Sequence, residues 1–416
     1  MRISSSTKAT RFVLIDFSCS KSYSHNWTYL LEFGNFISRR NTAASVEYWI
    51  NRAADERLGS NAGAPVHPFL LSPIYGYSKS KNFQKWLIDR FFERGLNLLN
   101  RDIKLRLLRR LFLRMATNYY TQTPLRFLRV RAKESEQLVL VFPSIDGLGL
   151  HFLERCLSEK IPISKIVIRT LQAETRGMFS VPDLSAFVEN LILRWPGLDV
   201  RIGYEVERVG EKLRMSSKIN TQILWSPIPS SKEMISRKLQ KSGPTKKIGF
   251  LGAARRLKGF EHLPRIIRET ISSGSSFEFY VQLAAEEWEG YREILNDILE
   301  IGAQIIFLEG GCSDELLLKT ISELDCLVLP YFVDEYKFAG SGLLFHAADF
   351  GVPVISMHGV GFDWDIKNFS IGVLCYSFKE ISHQIRDLDD KDYKNSISKY
   401  NFTRNEITTK LLGLEN

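Results

Sequence analysis

The chain has 416 residues, 44% of them hydrophobic and 25% charged, with a formal net charge of +9. That length exceeds one ordinary hydrophobic core, so two domains are expected, and the composition excludes a disordered or low-complexity chain. No apolar run approaches the roughly 20 residues needed to span a bilayer. Asp16 interrupts the apolar run at 12–17, so a cleaved signal peptide is not expected. Cys19, Cys156, Cys312, Cys326 and Cys375 are scattered, odd in number and form no Cys-x-x-Cys pair. This argues against a disulfide framework or a zinc site and for a soluble protein in a reducing cytoplasm.

Residues 12–17 read as a short buried strand, 27–39 as a helix after a polar loop, and 46–50 as a second strand. Between Lys79 and Lys133 there are about fifteen Lys/Arg against about three acids, interleaved with Trp86, Phe91, Phe92, Leu107, Leu108 and Phe112. This stretch reads as one or two amphipathic basic helices, either a solvated face over a core or a patch for an anionic membrane surface or acceptor. No recognised nucleic-acid motif accompanies the charge, so nucleic acid is not expected as a partner. The continuous apolar run 137–143 reads as a parallel strand covered on both faces, and a helix (151–159), strand (165–169), helix (183–194) and strand (200–203) are expected to follow. Two prolines at 227 and 229 end this pattern, and the basic, polar stretch 230–247, with Ser-Gly-Pro at 242–244, reads as a linker.

A second alternation then begins: strands at 247–251, 277–283, 304–308, 326–330 and 354–356, with helices at 260–272, 286–301 and 314–323. Strands alternating with helices imply parallel α/β sheets, and two consecutive units imply a cleft between them. The segment 336–356 reads as a glycine turn, an inward-facing helix, a Gly-Val-Pro stop and a buried strand. Gly340 and Gly342 leave backbone amides open, and the helix after them points its positive end at the same place, a construction for an anion such as a diphosphate. After the first strand of this unit, Gly252 permits a close turn while Arg255, Arg256 and Lys258 supply cations suited to a diphosphate leaving group. A basic surface loop is the alternative reading.

The ordered set of these pieces resembles the donor-binding domain of retaining nucleotide-sugar glycosyltransferases of the GT-B architecture (glycosyl transferases group 1, family 4-like). The matching pieces are Ser226 to Pro229, the Gly-x-x-Arg-Arg-x-Lys-Gly turn at 252–259, residues 307–316, residues 327–331, and Gly-Ser-Gly through Gly-Val-Pro-Val-Ile at 340–355. The resemblance covers about residues 225–376; the first half matches only in outline. It implies two Rossmann-like domains facing a central cleft: an acceptor-binding domain at 1–230 and a donor-binding domain at 231–397. A C-terminal helix at about 398–416 is expected to pack back on the first. It further implies that Arg255 or Arg256 with Lys258 hold the diphosphate, that Glu309 and Gly310 contact the base, and that Gly340, Ser341 and Gly342 lie against the donor sugar and phosphate.

One departure stands out. The family usually has two glutamates eight residues apart across this turn, the second on the ribose, and here those positions are Phe338 and His346. A neutral imidazole still hydrogen-bonds ribose hydroxyls, with one acceptor instead of several; Asp334 or Glu335 is the alternative acid, and a packed helix histidine the alternative role. On the acceptor side, His25 and Asn26 lie in the loop after the first strand, and Asp146 ends another strand, either as a hydroxyl-orienting group or base, or as a helix N-cap. Arg176 would meet the donor phosphate or an acidic acceptor. No His/Cys/Asp cluster has metal-ligand spacing; Asp363-Trp364-Asp365 has the outward form of an Asp-x-Asp but follows the donor strand. The expectation is therefore a cytoplasmic, metal-independent hexosyltransferase without a cofactor. It would use a nucleotide sugar and a glycan or lipid-linked glycan, as in bacterial surface polysaccharide synthesis, and would be peripheral on the inner membrane face if the helices within 79–133 bind anionic lipid. A GT-B-fold epimerase or an inactive scaffold is the alternative.

Overall fold

The computed structural model describes residues 10–17, 19, 25–51, 62–70, 106–133, 137–171, 183–216, 223–230, 245–272, 274, 276–388 and 393–415, with backbone alone at 25, 26, 69 and 106–112. The chain divides into two compact units: Met1–Glu205 with Val209–Ser226 and Ile407–Asn416, and Pro227–Glu406 with Val206–Arg208. Of the returning helix expected over 398–416, only Ile407 onward groups with the first unit.

The first unit holds a sheet of seven parallel strands in the order β3-β2-β1-β4-β5-β6-β7. They are β1 (Thr10–Asp16), β2 (Ser45–Asn51), β3 (Val66–Leu70), β4 (Gln137–Phe142), β5 (Lys165–Thr170), β6 (Asp199–Tyr204) and β7 (Ile223–Trp225). The helices are α1 (His25–Arg40), α2 (Arg106–Ala132), α3 (Gly147–Ser158), α4 (Leu184–Arg194) and α5 (Glu207–Ser216). Strands β1, β4 and β5 read as apolar runs because both faces are covered, and their central residues are buried. Strand β3 was not evident from sequence: Pro68 sits in it, which is tolerated only because β3 is an edge strand. Trp27, Phe33 and Phe36 of α1 pack on Tyr48 and Ile50 of β2, and Leu411 and Leu412 join the same cluster.

The second unit's sheet has six parallel strands in the order β10-β9-β8-β11-β12-β13. They are β8 (Thr245–Phe250), β9 (Ser276–Gln282), β10 (Gln304–Leu308), β11 (Cys326–Leu329), β12 (Val354–Met357) and β13 (Gly372–Cys375). Its helices are α6 (Leu263–Ile271), α7 (Tyr291–Leu299), α8 (Asp314–Glu323), α9 (Val333–Tyr336), α10 (Gly342–Asp349), α11 (Asp363–Phe369), α12 (Phe378–Arg386) and α13 (Lys394–Leu412), the last ending in the first unit. In each sheet the chain builds outward from one strand, then returns to build on its other side. The order reverses between β1 and β4 and between β8 and β11, and such switch points are where open α/β sheets bind ligands.

Candidate functional site

At the second unit's switch point, β8 ends in a turn with positive φ at both Gly252 (102°) and Ala253 (53°). Ala253 is one of few non-glycine residues held in that region, so neighbours must hold the turn. The amide oxygen of Gln282, at the end of β9, accepts from the N–H groups of Gly252 at 2.6 Å and Ala253 at 2.9 Å. Trp288 donates its indole N–H to Ala254 O at 3.2 Å. A short 3-10 turn, Arg256–Lys258, then aims Lys258 back at the loop, where its ammonium donates to Gly252 O and lies 5.6 Å from the Tyr331 ring centroid. Burial, and secondarily the charge of Arg255, push the Lys258 ammonium down to about 8.

Tyr331 follows β11 on the other side of the switch point. A side chain at Gly252 would meet Leu343 Cδ1 at 2.7 Å, Lys258 Nζ at 2.8 Å and the Tyr331 hydroxyl at 3.5 Å, so glycine is needed for space as well as for φ. Ser341 is buried, occupies the N-cap of α10, and directs its hydroxyl to Tyr331 instead of capping the helix. Leu344 N donates to Ser341 O at 3.1 Å, while the N–H groups of Gly342 and Leu343 come too early in α10 for a partner within the helix. Lys258, Gly252, Tyr331, Ser341 and the start of α10 thus converge. Arg255, exposed, is close enough to act on Lys258, Tyr331 and Tyr336.

The other residues singled out from sequence fall in different places. Arg256 pairs with Glu261 at 3.0 Å and is otherwise exposed. Glu309 is exposed at the end of β10, and Gly310 packs so close to the backbone of 284–285 that a Cβ would come within 2.3 Å of it. Gln282 donates to Gly310 O at 3.3 Å, linking this loop to the 252–253 turn. His346 is half-buried in α10, four positions after Gly342. Phe338, Asp334 and Glu335 are exposed. Gly340 precedes the N-cap. Tyr331 ends the matching piece 327–331 but was given no role from sequence, and Gln282 offered only the signal of a lone amide near the end of an apolar strand.

Asp363 and Asp365 do not converge. Asp363 accepts from Arg208 at 3.0 Å and from Gly359 N at 2.9 Å, whereas Asp365 is buried and accepts from the Tyr400 hydroxyl at 3.1 Å. Among the described residues no group of three or more His, Cys, Asp or Glu could hold a metal ion.

At the first unit's switch point, Asp146 caps α3: its Oδ1 accepts from Gly149 N at 2.7 Å. Its Oδ2 is buried without a hydrogen-bond partner among the described residues, and burial pushes the carboxyl up to about 6. Both readings of Asp146 therefore retain an oxygen each. Ile145 N donates to Arg169 O at 3.1 Å, which ties this loop to β5. His25 and Asn26 open α1, and their side chains lie outside the described residues, as do Arg176, residues 79–105 and the linker at 231–244.

No protein-family model matches the chain, and no curated protein matches it by sequence. Solved structures do match. The apo lipopolysaccharide outer core galactosyltransferase WaaB superposes with a TM-score of 0.58 at 11% identity, over 97% of this chain and 99% of its own. The fold is GT-B. The E. coli trehalose-6-phosphate protein bound with UDP-2-fluoro glucose shares it with a TM-score of 0.57 at 9% identity, over 97% of each chain. Anabaena HepE in complex with UDP and glucose matches at 0.51 and 11% identity, again over 97% of each chain. What is common at these identities is the fold alone.

Proposed function

We propose that this protein is a glycosyltransferase that moves a hexosyl group from a nucleoside diphosphate sugar to a hydroxyl of a glycan or lipid-linked glycan. The observation that carries the reading is the convergence at the β8/β11 switch point: Lys258 and Arg255 over an open turn, facing an α10 N-terminus whose own cap is turned away. As the bond from the sugar C1 to the diphosphate breaks, negative charge grows on the leaving oxygens, and fixed cations and helix N–H groups stabilise it more in the transition state than before. The GT-B neighbours, two of them solved with UDP or a UDP sugar, make a nucleoside diphosphate the anion of choice.

In this reading the anomeric configuration is retained, the departing phosphate takes the acceptor proton, and no divalent metal is required. Asp363 and Asp365 are committed to Arg208 and Tyr400, and the cations of the turn supply the charge. His346 on α10 serves the ribose in place of the usual carboxylate, and Asp146 orients the acceptor hydroxyl. Incubation with a panel of nucleotide sugars decides the matter. Nucleoside diphosphate release that depends on an acceptor and survives EDTA supports transfer. A changed sugar without acceptor makes the protein an epimerase, and failure to bind any nucleotide leaves a scaffold.

A lipid-linked acceptor is favoured by α2, which exposes Met115 (50%), Phe127 (46%) and Val130 (59%) beside Arg114, Arg126 and Lys133. Part of the basic excess is spent inside the fold, because Arg131 pairs with Glu47 and Arg129 with Glu159. No described helix is long and apolar enough to cross a membrane. Sedimentation with phosphatidylglycerol vesicles at low salt tests this surface; no binding removes it.

A further inference from the structure

Gln282 closes β9, the strand lying between β8 and β10, and its side chain is buried. Its oxygen takes both N–H groups of the 252–253 turn, and its nitrogen donates to Gly310 O at 3.3 Å and lies 3.4 Å from Cys312 Sγ. An amide alone fits this place. Turned over, it would set its NH2 against two N–H donors and its oxygen against a carbonyl. The two loops it joins are both in need of support: the first by its two positive φ angles, the second by the approach of Gly310 to the backbone at 284–285.

We propose that Gln282 is a positioning residue that locks the basic turn and the 309–312 loop together, so that the diphosphate and nucleoside halves of a donor meet one preorganised site. The inference rests on the donor reading above for its ligand, but the strap itself is a property of the free protein. With both loops held before binding, a ligand spanning them avoids the cost of fixing each separately.

Hydrogen exchange on the free protein provides one arm of the test. Gln282→Leu should raise exchange in peptides covering 250–256 and 308–313 together; a rise in one segment only, or in neither, overturns the proposal. Calorimetry with UDP, GDP and ADP provides the other. Gln282→Leu should weaken the preferred nucleoside diphosphate at least tenfold at every pH. Gln282→Glu keeps the acceptor for the turn but regains a donor only when protonated, so its affinity should be low at pH 8 and recover at least fivefold by pH 5, relative to the wild type at each pH. Affinities within twofold of wild type for both variants overturn the coupling. If the wild type binds none of the three nucleotides, the donor reading fails, and the exchange arm still decides whether the strap exists. Should Gln282→Leu not fold, the pH recovery of Gln282→Glu carries the decision.

Discussion

Arg169 in the first unit and Lys258 in the second are both cations at the carboxyl edge of a parallel sheet, yet their surroundings differ. Arg169 is fully buried and matched: Nε to Ser226 O at 2.8 Å, Nη1 to Pro143 O at 3.0 Å, Nη2 to the Glu205 carboxylate, with the Tyr29 ring 4.7 Å from its guanidinium carbon. Among the described residues, Lys258 has a single carbonyl, a tyrosine face and a second cation nearby, and no carboxylate in contact. A neutralised, saturated cation holds strand ends and loops in place. A half-buried cation with its ammonium pushed down toward neutrality gains most from an arriving anion. The contrast sets a cation already matched by the fold against one that, on the proposed reading, is left for a ligand.

The largest effect expected on this comparison is in the first unit. Arg169→Met strands the Glu205 carboxylate in the interior and should cost about 3–5 kcal/mol in urea unfolding. A loss under about 1 kcal/mol would mean that the saturated network is not what holds that edge. Lys258→Met is the mirror experiment. It should leave stability at pH 7 unchanged or slightly raised, because a poorly solvated charge is removed, while nucleoside diphosphate affinity falls about 100-fold, in the range for deleting one partner of a desolvated charge pair. Unchanged affinity would sink the donor site as drawn.

The pH dependence of Lys258 sharpens the same point. Its ammonium sits at about 8 in the fold against an ordinary 10.5, so between these values the unfolded chain binds more protons and stability of the free protein rises with pH. Anion binding favours the charged form, so nucleotide affinity should fall as pH rises above about 8. Opposite slopes for stability and affinity, both flattened in Lys258→Met, are the expected signature in parallel melting and calorimetric titrations. Parallel slopes would assign the titration to another group.

Much of this is legible in the amino-acid sequence. The central strands β11 and β12 announce themselves because they are buried on both faces, and the segments at 304–308 and 314–323 fall where their apolar runs and the Ser313 cap place them, whereas the half-exposed edge strand β13 was not among the five expected. Edges were harder: β3 contains a proline, and β7 is three residues long beside two more. The expected helix at 286–301 shortens to Tyr291–Leu299 because Gly290 is left-handed and starts it late. In the site, sequence supplied the chemistry but not the direction. Arg255 and Arg256 are equivalent as letters; only the 3-10 turn shows Arg256 turned to Glu261 and Arg255 kept near Lys258. Gln282 and Arg169 were invisible because their roles depend on strand order, which brings residues 252, 282 and 310 together across the sheet.

The smallest effect concerns Asp146, where the two units can be compared at matching switch points. One carboxylate oxygen caps α3 and the other is buried without a described partner, so the structural task accounts for only half of the carboxylate. Asp146→Ala removes both and should cost about 1 kcal/mol through the lost cap. Asp146→Asn keeps the cap and removes the charge. Because burial raises the carboxyl to about 6, the folded wild type holds its proton more tightly than the unfolded chain. Wild-type stability should therefore rise relative to Asp146→Asn as pH falls from about 6 toward 4, with the variant at least equal to wild type at pH 8. If the free oxygen orients an acceptor hydroxyl, both variants lose turnover tenfold or more while donor affinity is untouched. Full turnover in Asp146→Asn would make the residue a cap and leave the second unit as the sole holder of assigned chemistry.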